Sequence, residues 1–204
     1  MLARVFWVPY FTTLSVLYRL ADKIDRGLLC RFFYFNYRGR PAAAACEWGK
    51  FAYEEYMRPR VFQGAIQRIR DLKAAGFRVV LVTGSLSFMI APLAAEIDAD
   101  DVIAADLVER DGRFTGEMAG AAFNGDDKAV IVKEYAVQHG IDLRRSHAYG
   151  DSIADLGMLE SVGHPHAVLP DKRLRQIAEL RGWPLVTEWA IEEKPPHPLT
   201  RLWV

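Results

Sequence analysis

Apolar positions along this chain change their spacing near residue 60. From Leu2 to about Pro59 they recur at the three- and four-residue intervals of helices, which predicts helices over Val5–Leu20, Asp22–Tyr37 and Ala42–Met57. Gly39-Arg40-Pro41 breaks the second from the third. Beyond Val61, short apolar runs alternate with helical patterns. The runs predict strands at Arg78–Val82, Val102–Ala105, Ser146–Tyr149, His166–Leu169 and Leu185–Val186. The helices between them fall at Gly64–Ala75, Phe88–Ile97, Asp126–His139, Ala154–Ser161 and Lys172–Arg181. Asp111-Gly112, between Leu107–Glu109 and Arg113–Glu117, is a two-residue hairpin signal. Strands alternating with helices imply right-handed crossovers and a parallel sheet, an α/β fold. The expected organisation is a helical region over 1–60, an α/β core over 61–190 and an irregular, proline-bearing tail over 191–204.

Composition narrows this picture. The chain has 204 residues, 51% of them hydrophobic, enough for a core in one domain or one domain with an insertion. Its 26 basic and 26 acidic residues are interspersed, so it carries no electrostatic footprint for nucleic acid. Cys30 and Cys46 form neither a metal-binding spacing nor a disulfide framework, so a reducing, cytoplasmic setting is expected. Val5 to Tyr18 is an uncharged, aromatic-rich run, but no small-x-small cleavage site follows it. It is read as a packed or interfacial helix, and no stretch reaches the ~20 apolar residues of a membrane span. The dense aromatics of the first 60 residues are read as apolar faces of a helical bundle, with a hydrophobic substrate or membrane contact as the alternative.

Three places carry chemistry. Gly150 ends a short strand, Asp151 follows at once, and Asp155 comes four residues later, with Ile153, Leu156 and Leu159 at helical spacing. Two carboxylates at the carboxyl end of a strand suit a hard cation such as Mg²⁺. Alternatively, Asp151 or Ser152 caps the helix and Asp155 is solvated. In Leu81-Val82-Thr83-Gly84-Ser85 an apolar strand runs into two hydroxyls around a glycine. Thr83 and Ser85 can bind an anion's oxygens, Gly84 admits close backbone approach, and the following amides can donate; an ordinary strand-to-helix turn is the alternative. Lys128, in Asn124-Gly125-Asp126-Asp127-Lys128, starts a helix and can reach back to a phosphate, or lie on the helix surface.

Taken in order, Val79–Ser85, Gly125-Asp126-Asp127-Lys128 and Gly150–Leu159 (Gly-Asp-Ser-Ile-Ala-Asp-Leu-Gly-Met-Leu) resemble the haloacid dehalogenase superfamily. The likeness is to its subfamily IB hydrolases, relatives of phosphoserine phosphatase, and spans Val61 to about Trp189. It implies a Rossmannoid parallel sheet with an α-helical cap, here the aromatic N-terminal region, and a Mg²⁺-dependent hydrolase of small phosphate esters. Under it Thr83 holds the phosphoryl group with Gly84 and Ser85, and Lys128 neutralises its charge. Asp151 binds Mg²⁺, and Asp155 completes or orients the metal site.

One family feature is missing. The family's nucleophile is the first carboxylate of an Asp-x-Asp motif at the end of a central first strand. Asp22-Lys23-Ile24-Asp25 has the wrong spacing, and Asp98-Ala99-Asp100 follows a helix and precedes a strand, the wrong end of the sheet. Arg4–Val8 is no substitute, because Pro9 cannot donate to a central ladder and no acid follows. Without that strand, Arg78–Val82 and Ser146–Tyr149 are expected to face a gap. An impaired hydrolase, or a non-catalytic phosphate- or metal-binding protein, is therefore expected of this sequence.

Overall fold

A computed structural model describes residues 34–120 and 125–189. The helix expected at Val5–Leu20, most of Asp22–Tyr37 and the tail over 191–204 lie outside the described residues.

Among the described residues six strands form two three-stranded sheets. β1 (Val80–Leu86) pairs in parallel with the first half of β2 (Asp101–Arg110). The second half of β2 pairs antiparallel with β3 (Arg113–Ala119) across the Asp111-Gly112 turn. The two short runs expected around Asp106 are thus one continuous strand that changes partner midway. β4 (His147–Gly150), β5 (His164–Val168) and β6 (Leu185–Val186) form an all-parallel second sheet. Among the described residues no ladder joins β1 to β4. That is where the family resemblance puts its first core strand; the candidate Arg4–Val8 lies outside the described residues.

Helices cover these sheets. They are α1 (Ala42–Ala52), α2 (Gln63–Ala74), α3 (Ser87–Glu96), α4 (Gly125–His139), α5 (Leu156–Glu160) and α6 (Lys172–Arg181). α1 passes into a π-helix (Tyr53–Met57) and a 3₁₀ turn (Arg58–Arg60) in place of one long helix. The buried Tyr53 hydroxyl donates to Glu96 on α3 (2.8 Å), and Glu96 also pairs with Arg58 (3.1 Å). Burial and the Glu96 carboxylate push the Tyr53 phenol up to about 12.

α1 does not bury its aromatic side chains. Its buried residues are Ala42, Gly49 and Ala52. Trp48, Phe51 and Tyr56 are exposed, as is Phe35. The cause lies in α3. Pro92, inside that helix, has no N–H, so the Phe88 carbonyl loses its helical donor. Gly49 packs directly on that carbonyl oxygen, where any Cβ would collide. So close an approach admits only small residues at the contact and leaves the aromatics outside. The expectation of buried aromatic faces therefore holds for Tyr34 and Tyr53 but not for these four.

Two hydrophobic clusters form the core. One joins Tyr34 and Ala42 to Leu86, Phe88, Ala105, Leu107 and Phe114, so it crosses residue 60. Backbone bonds add to this link. Gly39 donates to Phe114 (2.8 Å), Phe114 to Arg40 (3.0 Å) and Ala42 to Gly112 (2.9 Å), which holds residues 39–42 along β3. The other cluster, Ala148, Met158, Leu159, Ala167, Leu174 and Ala178, lies between the second sheet and its helices. Val82 of β1 packs against it. Among the described residues no helix is long and apolar enough to cross a membrane.

A different array of side chains stands on β4 and β5. His147 and Tyr149 face His164 and His166 in register. A nitrogen-to-nitrogen hydrogen bond of 3.0 Å joins His147 Nδ1 to His166 Nε2, one ring donating and the other accepting. Tyr149 stacks on His166 and accepts from Arg68 Nε of α2 (2.8 Å), while Phe77 packs edge-on against His147. Burial, then the neighbouring His147 and Arg68, hold His166 down at about 4, and burial lowers His147 as well.

Two outcomes follow from this packing. Gly49→Ala is expected to destabilise the fold by about 1–3 kcal/mol, because the new methyl group meets backbone that cannot step aside; urea denaturation measures it. The unfolded chain protonates its histidines near pH 6.5, about two units before folded His166 does. The His166 contribution to stability is therefore expected to fall as pH drops from about 6.5 to about 4. His166→Gln should flatten that slope in denaturation midpoints measured across the range.

Candidate active site

The site is built on the turn after β4. Gly150 is buried, and a Cβ there would lie 2.7 Å from Asp155 Cβ. Glycine is thus required so that Asp155 can fold back over the strand end. There Asp155 is 6% exposed, and its carboxylate serves two sets of donors. Its Oδ1 meets Lys128 Nζ at 2.5 Å, and its Oδ2 accepts from the backbone N–H groups of Asp151 (3.2 Å) and Ser152 (3.4 Å) and from Ser152 Oγ (3.5 Å). The Lys128 side chain is itself only 14% exposed. A buried carboxylate is costly unless ion-paired and hydrogen-bonded, and here it is both.

Asp151 is placed differently. It is exposed, and its carboxylate lies within hydrogen-bonding reach of the Asp155 carboxylate. Partial burial, followed by the charge of Asp155, raises its carboxyl above the ordinary range. A cation binding beside it would relieve that repulsion. Its carboxylate is the hard oxygen donor Mg²⁺ prefers, and Mg²⁺ commonly takes one or two protein carboxylates, with water and substrate phosphate completing six ligands. The donor chemistry therefore fits the ion, although among the described residues no three metal-ligating side chains converge. Of the two aspartates expected to hold Mg²⁺, Asp155 is buried against Lys128 and the turn, and Asp151 is exposed beside it. The expected helix at Ala154–Ser161 opens as a 3₁₀ turn (Ile153–Asp155) that brings Asp155 back to this position.

The alternative reading of Thr83-Gly84-Ser85 as an ordinary strand-to-helix turn does not hold. β1 continues to Leu86, but its register shifts: Val82 pairs with Ile103 and Leu86 with Ala105. Four steps on β1 answer two on β2, so the three residues bulge out of the ladder. The Ser85 amide, expected among the anion donors, is turned inward onto Thr83 Oγ1 (3.1 Å). Accepting that bond orients the Thr83 hydroxyl and leaves its hydrogen to donate. Gly84 and the Ser85 side chain are exposed. Thr83 follows Val82, which packs on the same cluster as Val132, one turn along α4 from Lys128.

The rejected Asp98-Ala99-Asp100 lies where the sequence placed it, before β2. Asp98 pairs with Lys73 (2.7 Å), and Asp100 accepts from the Val79 amide at the opening of β1 (2.7 Å). A residue that sequence reasoning missed is Asp171. Its Oδ1 accepts from Leu174 N and its Oδ2 from Ile153 N, both at 2.8 Å, and its own amide donates to the Asp151 carbonyl (2.8 Å). Those amides keep its carboxyl below the usual range. Pro170-Asp171 before a helical run signals a cap, and nothing in it points to a turn 18 residues upstream.

Comparison with known proteins identifies the family. The family model for haloacid dehalogenase-like hydrolases matches residues 4–160. The chain belongs to that family. Over 129 residues it is 43% identical to the inhibition of morphological differentiation protein of Streptomyces azureus and 40% identical to a probable phosphatase of Mycobacterium tuberculosis. Those alignments take in 63% of this chain and 46% and 45% of the relatives. It is 32% identical over 145 residues to phosphoserine phosphatase SerB1 of Mycobacterium tuberculosis, covering 71% of this chain and 47% of that one. The chain thus spans just under half the length of these relatives. Among solved structures, a protein of unknown function from Bordetella pertussis Tohama I matches with a TM-score of 0.76 and 28% identity, over 86% of this chain and 82% of that chain. A substrate-bound phosphoserine phosphatase matches with a TM-score of 0.51 and 25% identity, over 60% and 56%.

The ion pair gives an asymmetric expectation. Asp155→Ala should cost about 3–5 kcal/mol, because it leaves Lys128 buried without its counter-charge and frees the turn amides. Lys128→Met should cost less, since the carboxylate it leaves keeps those donors. A double-mutant cycle in urea, including the paired variant, measures the coupling.

Proposed function

We propose that this protein acts on small phosphate monoesters, as a Mg²⁺-dependent hydrolase of the phosphoserine phosphatase kind. The observation that carries the reading is the buried Lys128–Asp155 pair beside the exposed Asp151. Asp155 holds the ammonium group in place, and Lys128 still has hydrogens to offer a phosphoryl oxygen. The Thr83 hydroxyl donates a further hydrogen bond. Asp151 would hold Mg²⁺, with Asp155 orienting the turn, and the ion when bound offsets charge on the phosphoryl oxygens. Gly84 and Ser85 border the phosphate at the bulge. The helical region, with its exposed Trp48 and Phe51, serves as the cap that shields the reaction from water.

A second reading rests on a specific observation. Among the described residues, the Asp-x-Asp of Asp98–Asp100 lies at the amino ends of β1 and β2 and is engaged by Lys73 and Val79, so it supplies no attacking carboxylate. On that ground the chain by itself binds phosphate and Mg²⁺ but turns over slowly, as a non-catalytic binding protein would.

The test is a pair of measurements on the 204-residue chain with Mg²⁺ present or removed by chelation. Orthophosphate binding is followed by calorimetry, and hydrolysis with phosphoserine and a generic aryl phosphate. Mg²⁺-dependent phosphate binding, lost about 100-fold or more in Lys128→Ala, is expected from the removal of one preorganised donor. Binding that survives both chelation and that substitution sinks the hydrolase and the binding reading together. Fast turnover would overturn the claim that the attacking group is lacking.

A further inference from the structure

The Asp151 turn is held from two sides. On one side Asp155 receives the amides of residues 151 and 152. On the other, Asp171 receives the amide of Ile153 and donates its own N–H to the Asp151 carbonyl. Between them, the two aspartates fix three successive N–H groups and one carbonyl of the turn. The backbone that carries the Asp151 side chain is thereby fixed on both sides. Asp171 is also the N-cap of α6, through its other oxygen and Leu174 N. With both oxygens on backbone amides it offers little to a ligand. It is instead a rigid link between the end of β5 and the turn after β4, two parallel strands in register through Gly150 and Ala167.

We infer that Asp171 is a positioning residue for the cation site, aiming the Asp151 carboxylate by pinning the backbone on which it stands. The inference rests on the reading of Asp151 as a Mg²⁺ ligand. It extends that reading, because Asp171 lies outside the Gly-Asp-Ser-x-x-Asp motif and both its oxygens are taken by backbone amides. Partners that orient a metal ligand from behind typically change affinity 10–100-fold when removed.

An asparagine at this position separates the two duties of Asp171. Asparagine has one acceptor oxygen, so it satisfies one of the two amides, and it is among the best helix N-caps. Asp171→Asn should keep α6 capped and release Ile153. Serine, whose shorter hydroxyl can cap but not reach Ile153, should do the same. Asp142→Asn is the control, since Asp142 caps a 3₁₀ turn (Leu143–Arg145) in the same manner, away from this site.

The experiment is a Mg²⁺ titration of the ¹⁵N-labelled 204-residue chain, following the backbone amides of residues 150–155, with melting temperatures and metal-free hydrogen exchange at Ile153. The expected result is saturable shifts in the parent chain. Apparent Mg²⁺ affinity should be 10–100-fold weaker in Asp171→Asn and Asp171→Ser, with faster exchange at Ile153 and little change in melting. Asp142→Asn should titrate like the parent. Equal affinity in parent and both Asp171 variants overturns the inference and leaves Asp151 as a ligand. No saturable shift in the parent overturns the Asp151 reading and the inference with it. If Asp171→Asn fails to fold, Asp171→Ser is judged by the same criteria.

Discussion

A carboxylate buried at the end of a strand has to be compensated, and the way Asp155 is compensated organises the site. Its charge is removed from water under Gly150, where isolated it would be strongly destabilising. Lys128, 27 residues earlier on another helix, answers one oxygen, and the turn's own amides answer the other. From this arrangement come the anchoring of α4 against the second sheet, the tight 3₁₀ opening of the helix after β4, and the exposure of Asp151. Replacing the pair with apolar residues would satisfy packing, but it would leave nothing to hold an ammonium group beside an exposed carboxylate. The pair is better understood as a device for geometry than as a source of stability.

The rest of the fold supplies support at a distance. β2 serves two partners in succession, parallel to β1 and then antiparallel to β3, and so ties the bulge at Thr83 to the hairpin. The helical region is joined to that hairpin by backbone bonds and to α3 by the Gly49 contact. Position 60 is a change of texture in the sequence but not a break in packing. On the second sheet, the histidine and tyrosine array takes the side of β4 and β5 that the aliphatic cluster does not use. The two strands leading into Asp151 and Asp171 are thereby packed on both faces.

Membership in the haloacid dehalogenase-like hydrolases sits easily with a site that works by positioning charges. Reactions at phosphate monoesters need little beyond oriented donors, a cation and an attacking group. Lys128, Thr83 and Asp151 are residues of the kinds that meet the first two needs. The alignments with the relatives take in just under half of their own length. Shared sequence of that extent carries the family, while substrate and turnover are settled by experiment on this chain.

Much was legible in the residues themselves, because periodicity and turn chemistry are local. The alternation of strands and helices, the Asp111-Gly112 hairpin and the strand-turn-helix at Gly150 all follow from spacings within a dozen residues. So does the rejection of Asp98–Asp100, whose place before β2 was plain from the order of elements. What escaped depended on neighbours distant in sequence. A hydroxyl turn became a bulge because β2 offered Leu86 a second pairing. Aromatics expected inside were left outside because Pro92 bared a carbonyl that only glycine could approach. Asp155, a candidate ligand by spacing, became the partner of Lys128, and Asp171, a helix cap by pattern, became the holder of another turn. Local sequence determined which elements form and which side chains are candidates for chemistry. Only tertiary packing decided which way each carboxylate points, because that depends on donors the chain brings from elsewhere.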